Sequence, residues 1–406
     1  MRILLLAYAC EPNKGSEPGV GWNWAINLSN LPNKEVCVIT RRNNKESIEN
    51  YFTKNSKPKN LVFYYYDLPY LLVFAKRHGL PVNFYYSWWL IGVSFFAKRL
   101  HQEYRFDIAH HITFGVFRDP CPLTRLGIPY FIGPVGGGEE TPSRLFSLYT
   151  IKDRIKEKIR KCLNNISLLN PLLIQTYNHA SLIMAKTMET KNVLKKWKVK
   201  TIVNLEIGIN SVDEIECDRD CNTFLFVGRF TYWKGIMLVL MAFKQYQATN
   251  RNAKLLMIGE GEMRTIIKTF SARNKLNIEV VPWIKKEELI GYYRKACAML
   301  FPSLHDSSGN VVLESLSCCL PVICLDCGGP ATILGKNLRE LIVSTVNNST
   351  EQVIDEIVGR MKMLSTDKIL YKSIQERVKE RAKQQMWRDV VQTTYLEIEG
   401  QLLYMK

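Results

Sequence analysis

The sequence predicts an α/β protein built from two parallel, doubly wound sheets in tandem, and three observations predict it. Strand-like apolar runs alternate with helical stretches through the first half. The same alternation restarts after a polar stretch near residue 210. The chain of 406 residues is also longer than one hydrophobic core usually serves.

In the first half the strands are expected in "RILLLAY", "EVCVIT", "NLVFYYY", "FDIAHHI" and "PYFIGPV", with helices between them. The polar stretch "EIGINSVDEIECDRDCN" lacks helical period and reads as the joint. Beyond it come "TFLFVGR", a helix from Gly235 to about Tyr246, "AKLLMIG", "IEVVPW", a helix from Lys286, "AMLFPS", a helix over 310–319 and "PVICLD". The resulting domains are residues 1–205, a linker at 206–220, residues 221–385, and an amphipathic helix at 386–406 able to pack back on the N-terminal domain.

A composition of 47% hydrophobic and 23% charged residues is that of a globular protein. The net charge of +17 calls for an anionic partner: nucleic acid, a lipid surface or a phosphorylated small molecule. Eleven cysteines without a spacing framework point to the reducing cytoplasm. The opening apolar run is short for a secretory signal and reads as a buried strand. Cys324-x-x-Cys327 has no second pair of that spacing, so no metal is expected.

Two segments point to a membrane surface. The uncharged run from Gly79 to Ala97 is flanked by basic pairs, but Pro81, Asn83 and Gly92 favour an interfacial or buried helix over a spanning one. In residues 150–166, Ile151, Ile155, Ile159 and Leu163 form an i, i+4 stripe. Six basic residues (Lys152, Arg154, Lys156, Lys158, Arg160 and Lys161) supply the other faces, a pattern suited to an anionic leaflet or to a surface helix docked by its isoleucines.

The chemistry-bearing residues follow the strands. In "LFVGRFTYWKG", Arg229 and Lys234 lie between a strand end and a helix start, where phosphate binds. "MIGEGEM" repeats the layout with Gly259. In "HDSSGNVVLESLS", Asp306, Ser308 and Gly309 precede a helix that opens with Asn310 and Val311 and carries Glu314 in an otherwise apolar face. A glutamate there needs hydrogen-bond partners, and ribose hydroxyls are suitable ones. In the first half, Gly19 and Gly21 open a helix without the dinucleotide-binding spacing. Glycines there let a ligand or another domain approach the backbone. His110 and His111 end a strand that faces this loop and the glycine-rich "GPVGGGEE", which makes either histidine a candidate for the active cleft.

The second half resembles the retaining glycosyltransferases of family 4. The matching pieces are "VGRFTYWKG", "MIGEGEMR", "VPWIKKEELIGYYRKACAMLFPS" and "DSSGNVVLESLSCCLPVICLDCGGP", in the family's order. "YACEPNKGSEPGVGWNWA" and "GPVGGGEE" resemble a bacterial branch of that family more loosely. The resemblance implies the GT-B architecture, two facing Rossmann-like domains with a cleft between them. It implies a nucleotide-sugar donor whose diphosphate is held by Arg229 and Lys234 and whose ribose is held by Glu314. The backbone from Ser307 to Val312 would then approach sugar and phosphate, and Trp283 and Ile284 would face the base. Two family positions differ: Asp306 stands where the family's first glutamate does, and Pro330-Ala331-Thr332 replace an acidic residue after the glycine pair. Of the family's D-x-x-H-x-H pattern only Asp107 and His110 match, with Ile112 in the last place.

The expected function is transfer of a sugar from a nucleotide sugar to a glycan or lipid-linked acceptor in polysaccharide biosynthesis, at the inner face of the membrane, without metal, cofactor or nucleic acid. Asp218-Arg219-Asp220 is a D-x-D, but it precedes a strand within a polar linker and reads as chance. A nicotinamide-dependent oxidoreductase would want G-x-G-x-x-G, which the first half lacks. A basic membrane-surface or nucleic-acid-binding protein on an α/β scaffold accounts for the charge but leaves Asp306, Glu314 and Arg229 without a role.

Overall fold

A computed structural model describes residues 1–213 and 219–405. The chain divides into two compact units. The first comprises Met1–Gly138, Leu163–Ile207 and Trp387–Lys406; the second comprises Glu139–Cys162 and Gly208–Met386. This division departs from the expected one in that Glu139–Cys162, placed by sequence in the N-terminal domain, groups with the second unit. Specific contacts account for it: Glu157 accepts a hydrogen bond from the Tyr232 hydroxyl at 2.9 Å, the Ser147 and Thr350 hydroxyls pair at 2.9 Å, and Arg144 bonds the Asn347 carbonyl.

The first unit holds a seven-stranded parallel sheet. Its strands are β1 (Arg2–Leu6), β2 (Glu35–Arg41), β3 (Leu61–Tyr66), β4 (Ile108–His111), β5 (Tyr130–Val135), β6 (Leu182–Ala185) and β7 (Thr201–Val203), in the spatial order β3-β2-β1-β4-β5-β6-β7. The second unit has six, also parallel: β8 (Asp220–Val227), β9 (Lys254–Ile258), β10 (Ile278–Val281), β11 (Ala296–Phe301), β12 (Val322–Leu325) and β13 (Ile342–Val343), in the order β10-β9-β8-β11-β12-β13. Both orders reverse direction beside the first strand, between β1 and β4 and between β8 and β11. Ligands of open α/β sheets bind at the carboxyl ends of the strands flanking such a switch point.

The strands are almost continuously apolar because helices cover both faces of each sheet. β11 is buried along its whole length, and so is β5. In the first unit the C-terminal helix Trp387–Met405 packs on the helix Ser16–Ser29, burying Val391, Tyr395 and Ile398. Nearby, the Trp24 indole donates to the Glu206 carbonyl at 2.9 Å.

The two membrane candidates are both helices. Val82–Tyr104 buries Tyr85, Tyr86, Trp89 and Val93 along one face and leaves Phe84, Trp88, Ile91 and Phe95 exposed on another. Ile151–Ser167 does not dock by its isoleucines. Ile151, Ile155, Ile159, Leu163 and Ile166 are all more than half exposed, and the buried positions are Glu157 and Asn164. Among the described residues no helix is long and apolar enough to cross a membrane.

Candidate nucleotide-sugar site

The site residues of the second unit gather where β8, β9 and β11 end. β8 runs out at Val227, and Gly228 (φ +147°) turns the chain so that Arg229 points into solvent. Gly259, after β9, has the same φ, and a Cβ on it would stand 2.0 Å from the Gly228 carbonyl oxygen. The absence of a Cβ on Gly259 permits this approach, and Gly228 is needed for its positive φ. A turn at Tyr232–Lys234 is stitched to the end of β11, with the Leu304 amide donating to the Trp233 carbonyl at 2.8 Å. Gly235 (φ +71°) then starts the helix Ile236–Thr249 against the Pro302 carbonyl.

The loop after β11 is fixed by the glycine pair that ends the motif. The Gly329 amide donates to the Asp306 carbonyl at 2.7 Å, and a Cβ on Gly328 would meet that same carbonyl at 2.3 Å. Gly309 (φ +87°) ends the loop and precedes the helix Asn310–Ser317. Its first turn carries the buried Asn310 Oδ1, which accepts no hydrogen bond among the described residues. The half-buried Val311 follows.

The cations and carboxylates are distributed unevenly. Lys234 forms an ion pair with Asp306, both side chains being largely buried, and its ammonium lies 4.9 Å from the centre of the Phe301 ring. Arg229 has no carboxylate partner among the described residues and lies over the Trp233 ring at 5.8 Å. Glu314 projects from the helix toward Lys286 (3.8 Å) and accepts from the Tyr293 hydroxyl at 3.4 Å. Burial raises its carboxyl above the usual range, against the pull of Lys286 and Tyr293. Trp283 is 73% exposed, an open aromatic face, and Ile284 beside it is half-buried.

Sequence reasoning missed Glu157, Lys286 and Tyr293. Glu157 is a buried carboxylate in a mostly basic helix that also carries Asp153. It stands 3.1 Å from His305 Nε2, whose ring stacks on Trp233. Burial would raise the Glu157 carboxyl, but His305, Arg160 and Tyr232 outweigh it and hold it at about 2. Lys286 and Tyr293 were legible as a pair, since seven residues are two helical turns and place both on one face.

The remaining candidates belong to the first unit. β4 is a central strand between β1 and β5, so neighbouring side chains turn to opposite faces and both are covered. His110 is fully buried, with Nε2 at 2.8 Å from the Gly133 carbonyl and Nδ1 at 3.2 Å from the Tyr395 hydroxyl. His111 is buried against the Tyr86 hydroxyl at 3.0 Å. Burial lowers the rings to about 4 and about 3, so both are neutral at pH 7. The pair expected at an active cleft thus sits in the sheet, with both His110 nitrogens engaged. The glycines expected to admit a ligand admit the chain itself. A Cβ on Gly19 would lie 2.0 Å from the Lys14 carbonyl oxygen, and one on Gly21 2.0 Å from that of Ala9.

The D-x-D reading concerns Asp220 and Arg219, Asp218 lying outside the described residues. Asp220 caps its own strand, accepting from the Asn222 amide at 2.9 Å, and Arg219 bonds the Tyr293, Ala296 and Cys318 carbonyls. No group of three or more His, Cys, Asp or Glu side chains is placed to hold a metal ion among the described residues.

Residues 211–385 match the family described as glycosyl transferases group 1. The chain carries a group 1 glycosyltransferase domain. Arg229, Lys234, Asp306 and Glu314 all lie inside it. A glycosyltransferase of Methanocaldococcus jannaschii, MJ1059, is 28% identical over 182 residues, which is 40% of this chain and 44% of that protein. The match therefore spans less than half the length of that relative. Among solved structures, the lipopolysaccharide outer core galactosyltransferase WaaB, in its apo form, aligns over 98% of this chain and 99% of its own, with a TM-score of 0.63 at 14% identity. HepE of Anabaena, in complex with UDP and glucose, aligns over 98% and 100%, with a TM-score of 0.59 at 11% identity. These alignments extend the group 1 domain to a whole-chain fold: two parallel Rossmann-like sheets, the GT-B fold.

Proposed function

We propose that the chain transfers a sugar from a nucleotide-sugar donor to a glycan or lipid-linked acceptor. The observation that carries this reading is the edge of the second sheet, where Arg229, without a carboxylate partner among the described residues, the Lys234–Asp306 pair and Glu314 surround loops drawn together by glycines. In the reaction the bond from the anomeric carbon to the diphosphate oxygen breaks, and its electron pair stays on that oxygen. An acceptor hydroxyl forms the new bond and gives up its proton. Arg229, Lys234 and the amides at the start of Asn310–Ser317 stabilise the leaving diphosphate, the task a metal ion performs elsewhere. Glu314 holds the ribose and Trp283 lies against the base. Retention of configuration follows from the family resemblance.

A panel of sugar nucleotides, scored for release of nucleoside diphosphate in excess EDTA, tests this. UDP sugars come first, because HepE holds UDP and glucose. Release from at least one donor is expected. No release with or without magnesium and manganese would overturn the enzyme reading and leave the basic surface-binding alternative. Release only with added metal would overturn the metal-free mechanism.

The same reading places the enzyme on an anionic membrane surface. The exposed isoleucine stripe of Ile151–Ser167 supports it more than the charges do. Lys156 is engaged by Asp153, Arg160 by Glu157 and Lys161 by Glu140, whereas Lys152, Arg154 and Lys158 have no ion pair among the described residues, Arg154 bonding the Phe146 and Tyr149 carbonyls instead. Changing both Ile155 and Ile159 to Gln is expected to reduce co-sedimentation with phosphatidylglycerol vesicles about fivefold or more, since interfacial binding scales with buried apolar area. Equal sedimentation would remove this helix from the membrane contact.

A further inference from the structure

At the carboxyl ends of β2 and β3, in the first unit, lies a cavity of about 560 Å³ whose walls include Arg41, Arg42, Asp67, Tyr70, Lys76 and Arg77. Four cations face one carboxylate. Arg41 approaches Asp67 at 3.5 Å, and the Tyr85 hydroxyl bonds the same carboxylate. Lys76 donates to the Tyr8 hydroxyl at 3.0 Å and lies 4.7 Å from the centre of the Tyr85 ring. Arg42 and Arg77 are exposed and have no ion pair among the described residues. Burial, then the Arg41 charge, lowers the Lys76 ammonium to about 8. Gathering these cations costs free energy that an anion would return.

The surroundings narrow the ligand further. Tyr70 reaches the cavity from the helix Tyr70–Arg77, whose Leu71 and Phe74 are exposed to solvent. That helix packs on Val82–Tyr104, which exposes Phe84 and Trp88. A soluble anion would use the cations and leave these side chains in water, whereas an anion on an apolar chain would use both. The charge favours phosphate over carboxylate, because a phosphomonoester or diphosphate carries two or more negative charges and offers arginine paired oxygens.

We propose that this cavity holds the phosphate or diphosphate group of a phosphorylated amphiphile, with its apolar chain along the exposed faces of the two helices. The inference rests on the glycosyltransferase reading and gives the acceptor its chemical class, a lipid phosphate. The acceptor's head is then fixed in the first unit by residues the donor site does not use.

The test is calorimetric titration of the full chain with decyl phosphate below its micellar concentration, decanol and inorganic phosphate. Decyl phosphate is expected to bind at least about tenfold more tightly than inorganic phosphate, and decanol not to saturate. The Arg42→Ala/Arg77→Ala double variant, changed only at exposed positions, should lose about tenfold or more of that affinity, the scale of one charge-assisted hydrogen bond. Leu71→Ser/Phe74→Ser should weaken decyl phosphate but not inorganic phosphate. Arg229→Ala should weaken neither, which separates this cavity from the donor site. Equal affinity for decyl phosphate and inorganic phosphate would assign the cavity to free phosphate and overturn the proposal. Undiminished binding by the arginine variant would overturn it as well. UDP binding is read in parallel: a chain that binds UDP but not decyl phosphate overturns this inference alone, and one that binds neither and releases no nucleoside diphosphate from any donor overturns the reading beneath it.

Discussion

Arg229→Ala is expected to lower turnover by about 10²–10³ with little change in melting temperature. Arg229 is exposed and free of carboxylate partners among the described residues, so its removal costs only its contact with the half-buried Trp233 ring. Its charge is used when negative charge grows on the departing diphosphate, and only interactions stronger in the transition state than in the bound donor raise the chemical rate. Loss of one such electrostatic donor costs about 3–4 kcal/mol. Lys234→Ala should lower turnover on a similar scale but should also lower the melting temperature. Its partner Asp306 is only 17% exposed and would lose its counter-charge, a cost of about 1–2 kcal/mol for a partly screened pair. Steady-state kinetics with thermal melts of both variants separate the two effects. If both retain turnover within a factor of about three, far less than the loss of an electrostatic donor costs, these residues are not the leaving-group clamp.

Glu314→Gln is expected to fail differently, raising the donor's Michaelis constant about 10–100-fold with turnover changed only a few-fold. A carboxylate accepting from hydroxyls contributes about 1.5–3 kcal/mol, and the ribose hydroxyls are remote from the breaking bond. The interaction is therefore nearly equal in bound donor and transition state, which moves the Michaelis constant and not the rate. Lys286 and Tyr293 already bracket the carboxylate, so the glutamine keeps its place and the variant should fold. A fall in turnover with an unchanged Michaelis constant would move Glu314 into the chemical step.

The long strands and the glycine loops that follow β8 and β9 were legible because their physics is local. β8, β9, β11 and β12 are apolar runs bounded by glycine or proline, and the helix expected at 310–319 forms over Asn310–Ser317. Strands β6, β7 and β13 were not named: β7 and β13 are runs of three and two residues that carry too little period to tell from a loop, and β6 is a run of four with no glycine or proline beside it. Asp306 and Glu314 were legible as two carboxylates, but their partners were not. Lys234 reaches Asp306 across 72 positions and Tyr293 reaches Glu314 across 21, separations no local pattern spans. The burial of the two histidines was not legible for a related reason. "DIAHHI" ends a strand in sequence, but its place between β1 and β5 depends on sheet order. The docking of Glu139–Cys162 on the second unit rests likewise on Tyr232, His305 and Thr350, all far along the chain.

Because each unit is assembled from separated segments, the chain passes from one to the other at 138/139, 162/163, 207/208 and 386/387. During synthesis the first unit cannot be finished first, although it contains the N-terminus. Until Trp387–Lys406 leaves the ribosome, the surface that receives Val391 and Ile398 stays uncovered and the His110 ring lacks its tyrosine. Glu139–Cys162 waits in the same way for Tyr232 and His305 to be made. The usual order, in which an N-terminal domain folds while the next is translated, is closed to this protein, and a nascent chain carries a first sheet whose strands are all made by Val203 but whose covering helix comes only after the whole second unit.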